Sequence, residues 1–301
     1  MKIALYGYGK MGKAIEAVAV ARGHEVVLRV TGANAGTAPT GADVAIEFST
    51  PDQALANMDL CLDHDVPVVV GTTGWYDKMN GVRKKVGDKK GSLLWASNFS
   101  IGVNLFFRVN RMLAGLMDTR PDYAAHIDEI HHIHKLDAPS GTAITLARDI
   151  DLKTKGYSGF ELKEDNAADQ TISRNANSIE PGPVSIFSER RGEVTGKHAV
   201  SWTSGNDRIV ISHEAFDRSG FALGAVIAAE WLLVLGCLWK LFVKAGKPAW
   251  AAFVPVYNII VWLQISGKPW WWVFLFIVPG VNLLMFIIMN VNISIVLGER
   301  D

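Results

Sequence analysis

Two runs of this chain carry no charged side chain, residues 249–267 and residues 269–298. Nothing else in the sequence restricts the fold as strongly. The first run has 19 residues. As a helix rising about 1.5 Å per residue it reaches about 28 Å, close to the roughly 30 Å of a bilayer's hydrocarbon. The second run is longer and is interrupted by Pro279-Gly280. Trp270, Trp271 and Trp272 follow Lys268 in the manner of an interfacial aromatic anchor. Lys240, Lys244 and Lys247 precede the first run, which predicts a cytosolic face for that end and an outer position for the turn at 266–269. Residues 233–301 are therefore expected to form a C-terminal helical membrane hairpin. A very apolar soluble hairpin is the alternative, but uncharged lengths like these are rare in soluble helices. Residues 221–239 invite a third span. Glu230 in their middle would be expensive in lipid, so they read as one extended helix of the preceding domain.

The rest of the chain is a different material. The 30 basic and 30 acidic residues balance only as a sum: 25 against 28 over residues 1–230, and 5 against 2 over residues 231–301. Without a basic excess, nucleic acid is not an expected partner. Cys61 and Cys237 are too few for a disulfide framework or a four-thiolate zinc site, which suits a reducing compartment. The opening MKIALYGYGKMG holds too short an apolar run for a signal peptide.

That opening is a nucleotide-binding pattern. Residues 2–6 read as a strand, Gly7, Gly9 and Gly12 complete G-x-G-x-x-G, and Ala14, Ile15, Val18 and Ala19 share one helical face. A second strand follows at residues 24–30. The glycines permit a sharp turn, a close approach to pyrophosphate and tight helix packing, and the phosphates sit at the helix start with Lys10 and Met11. NAD sites usually carry an acid at the end of the second strand. Here Arg29 stands near that end, which leaves NADPH or NADH open. Strands at 43–49, 66–70 and 92–96 alternate with helices at 51–64 and 76–86, the doubly wound α/β signature. Loops at the strands' carboxyl ends are small and polar: Ser49-Thr50-Pro51, Gly71-Thr72-Thr73-Gly74 and Ala96-Ser97-Asn98-Phe99-Ser100. They are expected to lie close to a cofactor.

After a helix at 103–116 the pattern changes to an alternating strand over 123–134, YAAHIDEIHHIH. Five of the eight histidines lie here or on a return strand: His126, His131, His132, His134 and His198. A metal site is not expected, because no cysteine is near and alternation would put His131 and His132 on opposite faces. Ser140-Gly141-Thr142 opens a helix at 143–149, and a helix start with a hydroxyl suits a carboxylate. Lys135 adds positive charge, and a histidine can supply a proton near neutral pH. The pattern describes a pocket for a small anionic substrate facing a nicotinamide.

The run E-x-H-H-x-x-K-x-D-A-P-S-G-T-A, from Glu129 to Ala143, resembles the signature of the dihydrodipicolinate reductase family. Further matches to that family come in its order: the glycine-rich start, Gly71–Gly74, Ala96–Ser100 with Gly102–Asn104, Arg190–His198 and His213–Ala225. The resemblance covers about residues 1–232. It implies an NADPH- or NADH-dependent reduction of 4-hydroxy-tetrahydrodipicolinate to tetrahydrodipicolinate in lysine and diaminopimelate biosynthesis. It also implies His131 as general acid and Lys135 as its partner on a substrate carboxylate. His132, Ser140, Gly141 and Thr142 would complete the dicarboxylate contacts. Gly71, Thr73 and Ala96–Phe99 would line the nicotinamide. The implied fold is a Rossmann-type domain, residues 1–103 and 214–232, plus an α+β mixed-sheet domain, residues 104–213, that binds substrate and assembles a homotetramer.

The family's usual short ending is missing. The tail WKLFVKAGKPAWAAFVPVYN…KPWWW resembles the N-terminal transmembrane region of some bacterial type I signal peptidases, with no peptidase domain after it. The expectation is a cytoplasmic reductase held at the inner face of the membrane. The competing class is a membrane-tethered nucleotide-binding scaffold without turnover, from a fused or truncated reading frame.

Overall fold

The computed structural model describes residues 1–135, 137–163, 181–277 and 289. Two compact units divide it, Met1–Ala229 and Glu230–Asp301.

The first unit begins with a parallel sheet of β1 (Lys2–Tyr6), β2 (Glu25–Val30), β3 (Val44–Glu47), β4 (Val68–Val70) and β5 (Leu93–Trp95), in the order β2-β1-β3-β4-β5. β3 (VAIE) and β4 (VVV) are buried along their whole length, as strands covered on both faces must be. The crossovers are α1 (Lys10–Ala21), α2 (Pro51–Asp63) and α3 (Met79–Asp88). Pro51 opens α2 at a position where its missing N–H costs nothing. The strand order leaves a switch point between β1 and β3, where the loops after the two strands part and a ligand crevice opens. The expected helix at 76–86 is a single 3-10 turn, Tyr76–Lys78, followed by α3.

The chain then enters α4 (Ile101–Met117), capped by Ser100, whose Oγ accepts the Val103 N–H at 3.3 Å. A second, mixed sheet follows: β6 (Ala124–His131), β7 (Tyr157–Lys163), β8 (Gly182–Arg190), β9 (Gly196–Thr203) and β10 (Arg208–Ala215), ordered β10-β9-β6-β8-β7. β6 pairs parallel to β8 and antiparallel to β9. α4 and α5 (Gly141–Lys153) cover one face, where Phe106, Phe107, Leu146, Ile150, Ile127 and Trp202 share a core. The strand expected over 123–134 ends at His131, so alternation does not govern His132. The chain turns there, with Ile133 N–H donating to Gly192 O at 3.1 Å and Lys135 N–H to His132 O at 3.1 Å.

α6 (Ser219–Lys244) is one continuous 26-residue helix, as its sequence suggested. The uncharged run at 249–267 is not one helix. It forms a 3-10 turn, Ala249–Phe253, and then α7 (Tyr257–Ile265). Pro255 explains the break: it pushes Val254 to an extended conformation (φ −101°, ψ 106°), and Val256 follows at φ 67°. The nine residues of α7 rise only about 14 Å, less than half of a bilayer's hydrocarbon. Trp270–Ile277 is again 3-10. Apart from Met289, the second uncharged run beyond residue 277, with Pro279-Gly280, lies outside the described residues.

Candidate active site

The phosphate end is built by the β1–α1 turn. Gly7 takes φ +92°, and a Cβ there would meet Phe48 O at 2.1 Å. Gly12 lies so close to Gly7 O that a Cβ would sit 2.3 Å from it. Over Gly9 the space is open, with nothing within 4 Å of a Cβ position. Gly9 is the α1 N-cap without a side-chain cap, and no acid occupies the first turn, where Lys10 and Met11 stand. Free N–H groups with open space above them fit a nucleotide pyrophosphate.

Arg29, at the end of β2, is already partnered. Its Nε donates to Glu16 at 3.0 Å and its Nη2 makes a second, short contact to the same carboxylate. Tyr8 OH donates to the other Glu16 oxygen, and the guanidinium lies 5.9 Å from the Tyr8 ring centre. The Arg29 and Tyr8 bonds hold the Glu16 carboxyl below its ordinary range.

A cleft of about 830 Å³ lies between the two sheets' loop ends. From the first sheet's side Met11, Gly71, Thr73, Ser97, Asn98 and Phe99 line it. From the other side come His131, His132, Lys135, Ser140, Gly141 and Thr142. Asn98 Nδ2 donates to Thr142 Oγ1 at 3.4 Å, tying the two sides together. Thr72 and Ala96 do not line the cleft. Thr72 is buried beneath it, accepting the Ser49 N–H at 2.9 Å on its hydroxyl and the Trp75 Nε1–H at 2.7 Å on its carbonyl. Ala96 N–H bonds Val70 O at 3.3 Å.

The floor of the cleft follows from strand register. His213, His198, Glu129 and Ser188 are direct neighbours across β10, β9, β6 and β8. Cross-strand partners share a face, so four polar side chains form one row. Glu129 has no exposed surface, and His198, His131 and Ser140 are buried with it. Glu129 Oε1 accepts the Ser140 N–H at 3.0 Å and the Ser188 hydroxyl. Ser140 Oγ caps α5 by accepting the Ala143 N–H at 3.2 Å and also meets His198 Nε2 at 3.0 Å. Ser140 is thus committed to holding the helix start, while Gly141 and Thr142 head that helix at the cleft wall. Lys135 Nζ donates to both oxygens of Asp137, at 2.7 and 2.8 Å. His132, beyond the strand end, encloses its Nδ1 without a hydrogen-bond partner.

Electrostatics follow the burial. Burial, then the neighbouring His198, pushes the His131 imidazole down to about 4, with Glu129 opposing. For Glu129 burial would raise the carboxyl, but the His198 imidazole at 3.4 Å and the hydrogen bonds from Ser140 and Ser188 outweigh it and hold the group at about 2. Both shifts have the same sign for stability. The unfolded chain takes up a proton on histidine from pH 6.5 and on glutamate from pH 4.5, which the folded chain refuses until about 4 and about 2. Stability therefore falls as pH drops, first between about 6.5 and 4 and then between about 4.5 and 2. Urea midpoints measured from pH 7 to pH 4.5 should decline, and His131→Gln should flatten that decline. An unchanged slope in the variant would show that His131 does not cause it.

Sequence reasoning gave no role to His198, Ser188, Arg190 or Arg218, although Arg218 and His198 also line the cleft. Glu129 was visible as the first letter of a motif, and its two-residue spacing from His131 on a strand already put both on one face. Among the described residues Glu129, His131 and His198 bring one potential metal ligand each within 4.8 Å of one another. Of the three, Glu129 bonds Ser140 and Ser188, and His198 meets Ser140.

An uncapped glycine-rich helix start with open space above it, a parallel sheet with its switch point at that turn, and a cleft walled by histidines and an open helix end define a class: a nicotinamide-nucleotide oxidoreductase. Residues 1–99 match the family described as dihydrodipicolinate reductase, N-terminus, and residues 102–238 match dihydrodipicolinate reductase, C-terminus. A 4-hydroxy-tetrahydrodipicolinate reductase of Christiangramia forsetii is 43% identical over 234 residues, spanning 77% of this chain and 92% of that one. One from Archaeoglobus fulgidus is 34% identical over 254 residues, spanning 77% and 94%. The solved dipicolinate-bound dihydrodipicolinate reductase of Paenisporosarcina sp. TG-14 shares the fold, with a TM-score of 0.54 at 21% identity, over 77% of this chain and 94% of that one. This chain belongs to the dihydrodipicolinate reductase family. Residues 250–301 match a family of unknown function (DUF5684), which gives the tail no activity.

Proposed function

We infer that the chain reduces 4-hydroxy-tetrahydrodipicolinate to tetrahydrodipicolinate with NADPH or NADH, in lysine and diaminopimelate biosynthesis. The observation that carries this is the cleft, which sets His131, Lys135 and the α5 start opposite the Gly71–Thr73 and Ser97–Phe99 loops. The nicotinamide, when bound, supplies hydride. This chain's residues bind, orient and protonate. Gly141 and Thr142 N–H groups and His132 receive one carboxylate of the substrate. Lys135 exchanges Asp137 for the other. The 4-hydroxyl leaves with a neighbouring ring hydrogen as water, and His131 delivers a proton from Nε2 to the ring once hydride has been added. Neutral in the free protein, it gains proton affinity when a dianion enters, because nearby negative charge favours the imidazolium. Purified protein should oxidise either nucleotide only when substrate is present, and no such dependence in folded protein would refute the reading.

The remaining assignments are proposals of the same kind. Gly7, Gly9, Lys10, Met11 and Gly12 hold the pyrophosphate, and Arg29 stands at the adenosine ribose. Its pairing with Glu16 favours neither nucleotide, which supports use of both. Residues 1–103 with 214–232 form the cofactor domain and 104–213 the substrate domain, which assembles a homotetramer. An exposed apolar stripe on α4 (Ile101, Leu105, Val109, Met112, Leu116) supports assembly there.

The tail, residues 233–301, attaches the protein to the inner face of the cytoplasmic membrane. Support comes from the two uncharged runs, residues 249–267 and 269–298, and from α6, the one described helix that passes by length and composition; its first half, with Ala222, Ala225, Val226 and Ala229 buried, belongs to the cofactor domain. Exposed Trp231, Trp239, Trp250 and Trp270 are suited to its interface. Full-length protein should stay with membranes through alkaline carbonate extraction, and release into the supernatant would contradict attachment.

A further inference from the structure

We propose that Glu129 is a positioning residue that fixes the ring hydrogens of His131 and His198 together, through a single carboxylate oxygen shared between the two imidazoles. The inference rests on the reading of His131 as proton donor. Glu129 Oε1 is filled by the Ser140 N–H at 3.0 Å and the Ser188 hydroxyl, with Arg190 Nη1 at 3.8 Å. Oε2 has no such partner. It faces His198 Nε2 at 3.4 Å and His131 Nδ1 at 3.5 Å. No solvent reaches the carboxylate to compete for it. A lone pair on either ring nitrogen would be repelled by the buried anion at that distance, so each nitrogen carries its hydrogen: His131 Nδ1 toward Glu129, and His198 Nε2 between Glu129 and the nearer Ser140 Oγ at 3.0 Å.

For His131 this has a chemical consequence. With Nδ1 carrying its hydrogen, Nε2 is the atom left to take up and give a proton. Nε2 lies against Gly196, where a Cβ would come within 3.3 Å of it. Gly196 lines the cleft with His131, so the absence of a side chain there leaves room at the reacting nitrogen. The same carboxylate stabilises the imidazolium once it forms. Through Ser140 N–H it also anchors the residue that caps α5, so the proton donor and the helix start share one fixed point.

Glu129→Gln keeps the shape and the acceptor for Ser140, but it turns an amide N–H₂ toward the two rings. We expect kcat to fall roughly 10- to 100-fold, the range for losing a group that orients a ligating or reacting histidine. KM and nucleotide affinity should change less than about threefold, and Glu129→Asp should recover part of the rate. The decisive comparison is the double variant. If Glu129 acts through His131, Glu129→Gln with His131→Gln is no slower than His131→Gln alone. If the two losses multiply while His131→Gln alone is slow, the positioning role is overturned and the proton-donor reading stands. If His131→Gln alone retains kcat, both fall. Wild-type protein gives a test free of any folding defect. Nitrogen NMR of labelled histidine should find His131 at neutral pH with its hydrogen on Nδ1, and a hydrogen on Nε2 instead would overturn the proposal.

Discussion

His131→Gln lowers kcat by roughly 10²-fold or more, the loss usual for a missing general acid, while nucleotide affinity is kept. The two readouts separate because His131 sits at the end of β6, whereas the proposed pyrophosphate cradle is the β1–α1 turn of the other sheet. Glutamine fills much of the imidazole's space and can still meet Glu129, so the row of His198, Glu129 and Ser188 remains packed. The missing function is the transferable proton. Steady-state kinetics with a parallel nucleotide titration checks this. An unchanged kcat would remove His131 from the chemistry, and a lost nucleotide affinity would show that the substitution damaged the fold.

Gly7→Ala has the largest expected effect on stability. A Cβ at Gly7 would lie 2.1 Å from Phe48 O, 2.5 Å from Phe48 C and 2.7 Å from Ser49 Cα, on a residue at φ +92°. Those neighbours are backbone at the end of β3, which cannot rotate away. We expect a loss of about 3 kcal/mol or more, at the high end for single substitutions. At about 2–4 °C per kcal/mol for a protein of this size, the melting temperature drops by roughly 10 °C. Gly9→Ala provides the contrast, since nothing lies within 4 Å of its Cβ position. It should melt almost normally, while the methyl group stands where a pyrophosphate would approach and weakens nucleotide binding roughly tenfold or more. Equal melting losses in both would mean that Gly9 has a packing role, not a ligand-facing one.

Much of this molecule is legible in its sequence. Local rules suffice for the G-x-G-x-x-G turn, for the apolar strands of a sheet buried on both faces, and for Ser140 at a helix start. The dihydrodipicolinate reductase motifs then named the reaction. What sequence could not supply was register. That His198 stands opposite Glu129, and Ser188 beside it, depends on how β9 and β8 pair with β6, and no spacing along the chain encodes this. The end of β6 was also misplaced, because alternation continues through His132-Ile133-His134 while the backbone has already turned to Gly192. In the tail, absence of charge is a weaker guide to helix length than a proline. Pro255 divides the first uncharged run, which holds only a nine-residue α-helix, while the extended helix read through Glu230 is there as α6.

The scaffold reading and the enzyme reading part at one assay. Full-length protein, shown to be folded and to bind nucleotide by titration, is mixed with NADPH or NADH, and nicotinamide absorbance is followed before and after 4-hydroxy-tetrahydrodipicolinate is added. A reductase with the His131, Lys135 and Gly141-Thr142 cleft intact shows steady oxidation that begins on addition of substrate. Nucleotide binding without any substrate-dependent oxidation, in both reactions, would contradict it.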